Sequence, residues 1–381
     1  MGLTLSHQSA LDVLRALRAK GTKIQEMDVT RFDVPRPWRG ERWSMRNFGP
    51  KDWKLPIPSE RNPLNVIVPS DEGRVRLRGV HTHVMRQDLP PRSILWVDEH
   101  AAMVRPELMY LQMAESLSMP ALVMLGYELC GHFGRDPWDP LNGSVAMHID
   151  AAASVESISE YAAHCKRLRG LKRAREALTY VSDHALSVPE AVIATMYSLP
   201  PHQSGYGLGP VTLNKRIVVP NPNGQDDGDE PERVRFPDVL LGIAPVGINY
   251  DGEDHLDLKG LVDIVQKAAL ADGDAQPAMR EALEQKMAQV RAKVVDDNLR
   301  DRQLAARGYL VLPATKEDLF EEKKFDAFTR HLLGCVKNIF GIDTSSMLRA
   351  LDDTNKTADR NNLLSSLLPC GGYGKPSHGI L

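Results

Sequence analysis

Two apolar runs separated by only two residues, Val239 to Ile243 and Val246 to Tyr250, constrain the fold of this chain more than any other feature. So short a link makes them neighbouring strands of one sheet. Asp238 stands at the start of the first run, and Asn249 and Asp251 sit two apart on the second, so strand alternation sends both to one face. Farther on, a helix from about Pro277 to Val295 places Met279, Leu283, Met287, Val290 and Val294 on one stripe, and a strand from Tyr309 to Pro313 follows. Helices are expected at 316–340 and 356–368. The pattern is α/β, a sheet flanked by helices.

The front of the chain has a different texture. Residues 7–20 read as an amphipathic helix with Ala10, Leu11, Leu14 and Leu17 inward and Arg15, Arg18 and Lys20 outward, closed by Gly21. An extended arm rich in Pro, Arg and Trp runs to about Pro63. The run from Leu64 to Pro69, the turn at Asp71 to Gly73 and the alternation of residues 74–78 predict a hairpin. Helices follow at 107–118 and 121–130. A further pair, 155–170 and 171–185, breaks near Gly170 and carries the densest basic cluster, Lys166, Arg167, Arg169, Lys172, Arg173 and Arg175. Ser187 fits a helix N-cap, with Pro189 and Glu190 in the first turn. The glycines from Gly205 to Gly209 read as a turn, because Pro210 and not a helix comes next. Four segments result: 1–63, a smaller α/β domain at 64–185, a third unit at 186–345, and a tail at 346–381.

The 381 residues contain no run of about 18 apolar residues, and the first 19 are amphipathic, so a cytoplasmic protein without a membrane span is expected. Cys130, Cys165, Cys335 and Cys370 form no close pair, which argues for reduced thiols. The segments around Cys130 and His132 and around His81 and His83 make a metal cluster only if they meet. Residues 1–92 hold 17 Lys and Arg against 10 Asp and Glu, an excess of +7 hidden by the total of −3. Such a basic front favours phosphate backbones, because cationic side chains release condensed counterions there.

Phosphodiester hydrolysis needs a divalent ion to polarise the phosphate and lower the pKa of water, and therefore converging carboxylate oxygens. Asp238, then Asn249-Tyr250-Asp251-Gly252-Glu253-Asp254-His255, then Asp297-Asn298-Leu299-Arg300-Asp301 with Leu304 and Gly308, supply such a series. In this spacing the chain resembles the restriction-endonuclease-like domains related to very-short-patch-repair endonucleases. That resemblance implies a mixed sheet flanked by helices, with magnesium or manganese held by Asp238 and Asp251. It further implies His255 as proton donor or base, Glu190 as an upstream carboxylate, and Asp297 and Arg300 as positioning groups. Two departures stand out: the family's glutamate is Asn249, and the interval from His255 to Asp297 is long. Asn keeps a carbonyl oxygen but removes a formal charge, which weakens a magnesium site.

His83, Leu89-Pro90 and Arg105-Pro106-Glu107-Leu108 show a looser similarity to the regulatory region of AbiEi-type antitoxins. The expected function is nucleic-acid binding through a degenerate metal site, with Arg300 and the basic group of Lys166, Arg167, Arg169, Lys172 and Arg173 toward phosphates. Two rivals remain. One is an antitoxin-type regulator acting on a toxin-type protein partner or an operator; the other is an active metal-dependent endonuclease in which Glu253 or Asp254 replaces the missing acid.

Overall fold

The computed structural model describes residues 3–29, 58–86, 88–98, 101–220, 232–251, 276–321 and 323–368. Most of the Pro-rich and Trp-rich arm and the tail from Gly371 to Leu381 lie outside the described residues. The chain divides into two compact units, Met1–Leu213 with Ala358–Leu381, and Asn214–Thr357.

In the first unit β1 (Leu3–Leu5) runs antiparallel to β2 (Leu64–Val68). With β3 (Val80–Val84), β4 (Ile94–Trp96) and β5 (Ala101–Val104) they form a sheet ordered β3-β2-β1-β5-β4. β1 is thus the central strand, and the segments expected as separate, 1–63 and 64–185, both contribute strands to this sheet, the first through Leu3–Leu5. β1, β2 and β5 are buried along their whole lengths and are apolar apart from the buried Thr4 and Asn65.

The expected hairpin at 64–78 does not form. β2 pairs parallel with β3, Leu64 opposite Val80, and residues 74–78 are the crossing between them. The backbone N–H and C=O of Val75 are met by the Thr82 hydroxyl at 3.2 and 3.3 Å, not by a ladder. Arg74 and Arg78 pair at the surface with Asp71 and Glu60. The alternating arginines therefore face water along a return segment, which period-two patterning alone does not separate from a strand.

Helix α1 (His7–Ala19) forms where expected and ends at Gly21, whose φ of +79° is left-handed. Its charged face is not outward. Arg15 and Arg18 are 6% and 1% exposed, because α1 packs its polar side as well as its apolar one. α2 (Pro106–Met113) starts on a proline, and in α3 (Met119–Cys130) the Ser118 hydroxyl accepts the Ala121 N–H.

Arg15 donates from Nε and Nη2 to the two carboxylate oxygens of Glu128 on α3, at 2.8 and 2.7 Å. Arg18 reaches past the end of α3. It donates to the carbonyls of Glu128 (2.9 Å), Gly131 (2.8 Å) and Asp150 (3.0 and 3.2 Å), a cation satisfying carbonyls at a helix C-terminus.

A short strand pair, β6 (Phe133–Gly134) with β7 (Ala146–Met147), follows α3. Next come α4 (Val155–His164) and α5 (Leu171–Leu178), a shorter version of the expected pair. Gly170 between them has φ +78°, and a Cβ there would meet the Glu115 backbone at 2.9 Å. Helix α6 (Val188–Ser198) is capped by Ser187 as expected, and β8 (Val211–Leu213) closes this part of the chain.

The second unit begins with an antiparallel pair, β9 (Ile217–Pro220) and β10 (Glu232–Arg235). β11 (Val239–Leu241) then runs antiparallel to β12 (Val246–Asp251), and β12 runs parallel to β13 (Leu310–Thr315). Between β12 and β13 lies α7 (Gln276–Ala306), longer than expected. A parallel pair needs such a crossover. The apolar stripe of α7 is largely not core: Met287, Val294 and Val295 are exposed. Near its C-terminal end Leu304 is fully buried against Ile217 and Val219, with Tyr309 and Val311 beside it. Helices α8 (Lys316–Phe320), α9 (Lys324–Phe340) and α10 (Ser345–Leu351) follow, and α11 (Thr354–Leu367) returns the chain to the first unit.

Candidate functional site

The register of β11 and β12, Val239 opposite Ile248, sets Asp238 opposite Asn249. Pro237 leads into this position, and the β12 residue Gly247 permits a close approach, since a Cβ there would stand 3.1 Å from Pro237 and 3.3 Å from Val311. Two hydrogen bonds then tie Asp238 to the Asn249-Tyr250 step of β12. The Asp238 backbone N–H donates to Asn249 Oδ1 at 3.1 Å, and the Tyr250 N–H donates to Asp238 Oδ2 at 2.7 Å.

Asn249 is 3% exposed, and its Nδ2 is buried without a hydrogen-bond partner. The side chain thus turns its acceptor oxygen to a backbone donor and leaves an N–H in the interior, where a metal ligand needs a lone pair. Both groups that sequence spacing brought together do meet. They meet as strand-end partners.

Asp251 belongs to a second group at the end of β12. On α7, Arg300 pairs with Asp297 at 3.1 Å and more distantly with Asp301 at 3.4 Å. Burial lifts the Asp301 carboxyl above its usual range, Arg300 opposes this, and the nearby charges of Asp297 and Asp251 add to it. Asp251, Asp297 and Asp301 therefore share one electrostatic neighbourhood, with Arg300 as its cation. Next to it, Arg235 of β10 holds Asp296 with two hydrogen bonds, at 2.9 and 3.1 Å, and donates to Gln303 at 2.8 Å. Sequence spacing did not single out Arg235, Asp296 or Gln303, because ordinary surface pairs on a helix have the same pattern.

Among the described residues, no group of three or more His, Cys, Asp and Glu side chains is arranged to hold a metal ion. The described donor set therefore does not fit magnesium or manganese: Asn249 supplies a neutral oxygen already engaged, and Asp238 spends an oxygen on a backbone N–H. His255, Glu253 and Asp254 lie outside the described residues.

Glu190 belongs to the first unit, where it takes a structural part. Its Oε1 accepts the Ser187 hydroxyl at 2.7 Å and its Oε2 accepts the Leu186 N–H at 3.0 Å, the reciprocal of the Ser187 cap. The basic cluster is also in the first unit. Lys166, Arg167, Arg169 and Lys172 are exposed and Arg173 is half-buried; Arg169 makes a long contact to Glu115 (3.4 Å) and Arg175 donates to the Ala162 carbonyl.

The two histidine segments each find other partners. The His83 ring stacks on His7 at 3.7 Å and its Nε2 meets Asn65 Oδ1 at 2.9 Å, while His132 lies parallel to His184 at 5.7 Å. Burial, with His81 and His83 close by, pushes the His7 imidazole down to about 3. Cys130 and Cys165 are buried and free, and Cys370 lies outside the described residues.

Comparison of the chain with family models, with curated proteins and with solved structures returns no match. No described helix is long and apolar enough to cross a membrane.

Proposed function

We propose that this protein binds nucleic acid and that its second unit is a restriction-endonuclease-like domain in which the metal site has closed, so that binding proceeds without strand cleavage. The observation that carries this reading is that the Asn249 amide oxygen accepts the Asp238 N–H while the Asp238 carboxylate accepts the Tyr250 N–H. A carboxylate at position 249 would set a second negative charge against Asp238 and require a cation; the amide removes that charge and joins the two strands directly. The mixed strand order, antiparallel from β11 to β12 and parallel from β12 to β13 across α7, is in keeping with the family pattern.

The exposed cations around Gly170 supply the attraction to phosphate. Replacing Lys166, Arg167, Arg169 and Lys172 by Glu is expected to weaken binding of a fluorescent duplex at least tenfold in about 0.1 M salt. Each lost phosphate contact lowers the slope of log affinity against log salt by about 0.9, so the slope should fall by about 3 or more. Titrations across a salt series check this. Equal affinity and an equal slope in the quadruple variant would refute the assignment of this cluster.

A further inference from the structure

A cavity of about 630 Å³ opens in the first unit between α1, α3 and the loop after β6. Its apolar lining includes Leu11, Met113, Leu117, Ala121, Met124 and Leu125. Its charged lining is Asp12, the Arg15–Glu128 pair, Arg135 and Asp139, with Trp138 largely exposed. The volume is that of a small-molecule site, and an apolar wall facing a few fixed polar groups is the usual lining of one.

Arg135 is the informative residue. It is 6% exposed, its backbone N–H donates to Glu128 Oε1 at 3.0 Å, and its side-chain Nε and Nη2 have no hydrogen-bond partner among the described residues. Those two N–H groups share one edge of the guanidinium, the edge that meets both oxygens of a carboxylate. A buried cation with unmet donors is costly, so proteins retain one where something is to be bound.

Glu128 makes no hydrogen bond to the Arg135 side chain: its oxygens take Arg15 and the Arg135 backbone N–H. Arg15 and Glu128 pair with each other, so Arg135 is the lining cation without a bonded counter-ion, and the Asp12 and Asp139 carboxyls that also line the cavity disfavour a ligand with more than one negative charge. We propose that this cavity binds a small molecule with one carboxylate head, held by the Nε and Nη2 edge of Arg135, and an aliphatic tail lying on Leu11, Leu117, Ala121 and Leu125.

Titration calorimetry of the full chain with decanoate, decanol and decyl phosphate tests this. The expected result is one saturable decanoate site, tighter than decanol by about tenfold or more, as one charge-assisted pair implies. Arg135→Met should erase that advantage and leave decanol binding in place. Its thermal unfolding temperature should not fall, since removing an unpaired buried charge is neutral or stabilising. Ala121→Phe, which fills the apolar side and keeps Arg135, should weaken decanoate and decanol alike. Decanoate binding no tighter than decanol, unchanged decanoate affinity in Arg135→Met or in Ala121→Phe, or decyl phosphate tighter than decanoate would overturn the proposal.

Discussion

Glu128→Gln is expected to destabilise the first unit by about 3–5 kcal/mol at pH 7, the usual cost of breaking a buried ion pair by removing one partner. The substitution keeps the side-chain volume and changes the charge. In the native protein the Glu128 carboxylate, 2% exposed, takes two hydrogen bonds from Arg15 and one from the Arg135 backbone. Without it, Arg15 loses its hydrogen-bonded counter-charge and faces the nearby Arg135 guanidinium, which repels it.

The pH dependence has a definite sign. Burial alone would raise this carboxyl, but Arg15 draws it down to about 2 from an ordinary 4.5. The Glu128 contribution is thus fully present above about pH 4.5 and is lost as pH falls through about 2. Denaturant titrations of wild type and variant should differ by a constant amount from pH 7 to pH 5 and converge as pH falls from about 4.5 to about 2. A difference below about 1 kcal/mol at pH 7 would show that the pair is not a determinant of stability.

Arg18→Ala is expected to cost about 4 kcal/mol or more, for a different reason. Arg18 carries four hydrogen bonds to three main-chain carbonyls, those of Glu128, Gly131 and Asp150, and is 1% exposed. Truncation leaves buried acceptors unmet, at about 1–3 kcal/mol each, and opens a cavity beside them. Arg18→Lys should recover only part of the loss, because a single ammonium does not span three carbonyls as a planar fork does. Urea midpoints of the two variants check this. Equal stability of Arg18→Ala and wild type would mean that water replaces the side chain without cost.

These two arginines also show where sequence reasoning stops. Ala10, Leu11, Leu14 and Leu17 locate α1 correctly, since an apolar stripe at helical spacing records the face that is buried. The same pattern assigns Arg15 and Arg18 to water, because periodicity carries no information about a partner 110 or so residues away. Glu128, inside an apolar helix, is the partner, and the match of charges becomes visible only when α1 and α3 are packed.

Strand partners obey the same limit. β11 and β12 were legible because two residues separate them, and the Ser187 cap and the Gly21 and Gly170 breaks were legible because they are local. The parallel pairing of β2 with β3 was not, since alternation in residues 74–78 describes a solvated crossing as well as a strand. At the candidate site, spacing alone brought Asp238 to Asn249 and Asp251 to the Asp297 and Arg300 group. What spacing left open was how the oxygens are used: Asp238 and Asn249 are engaged with backbone N–H groups, and Glu190 with its own helix cap.

Binding of nucleic acid without cleavage is the function proposed for this protein. It is tested most directly by incubating labelled single- and double-stranded DNA and RNA with the wild-type protein and with Asp238→Ala, in magnesium, in manganese and in a chelator, and reading binding and strand length on the same samples. Binding that persists in the chelator, with intact strands under every condition, is expected. Metal-dependent cutting by the wild type that disappears in Asp238→Ala would contradict it and restore the site as a working nuclease.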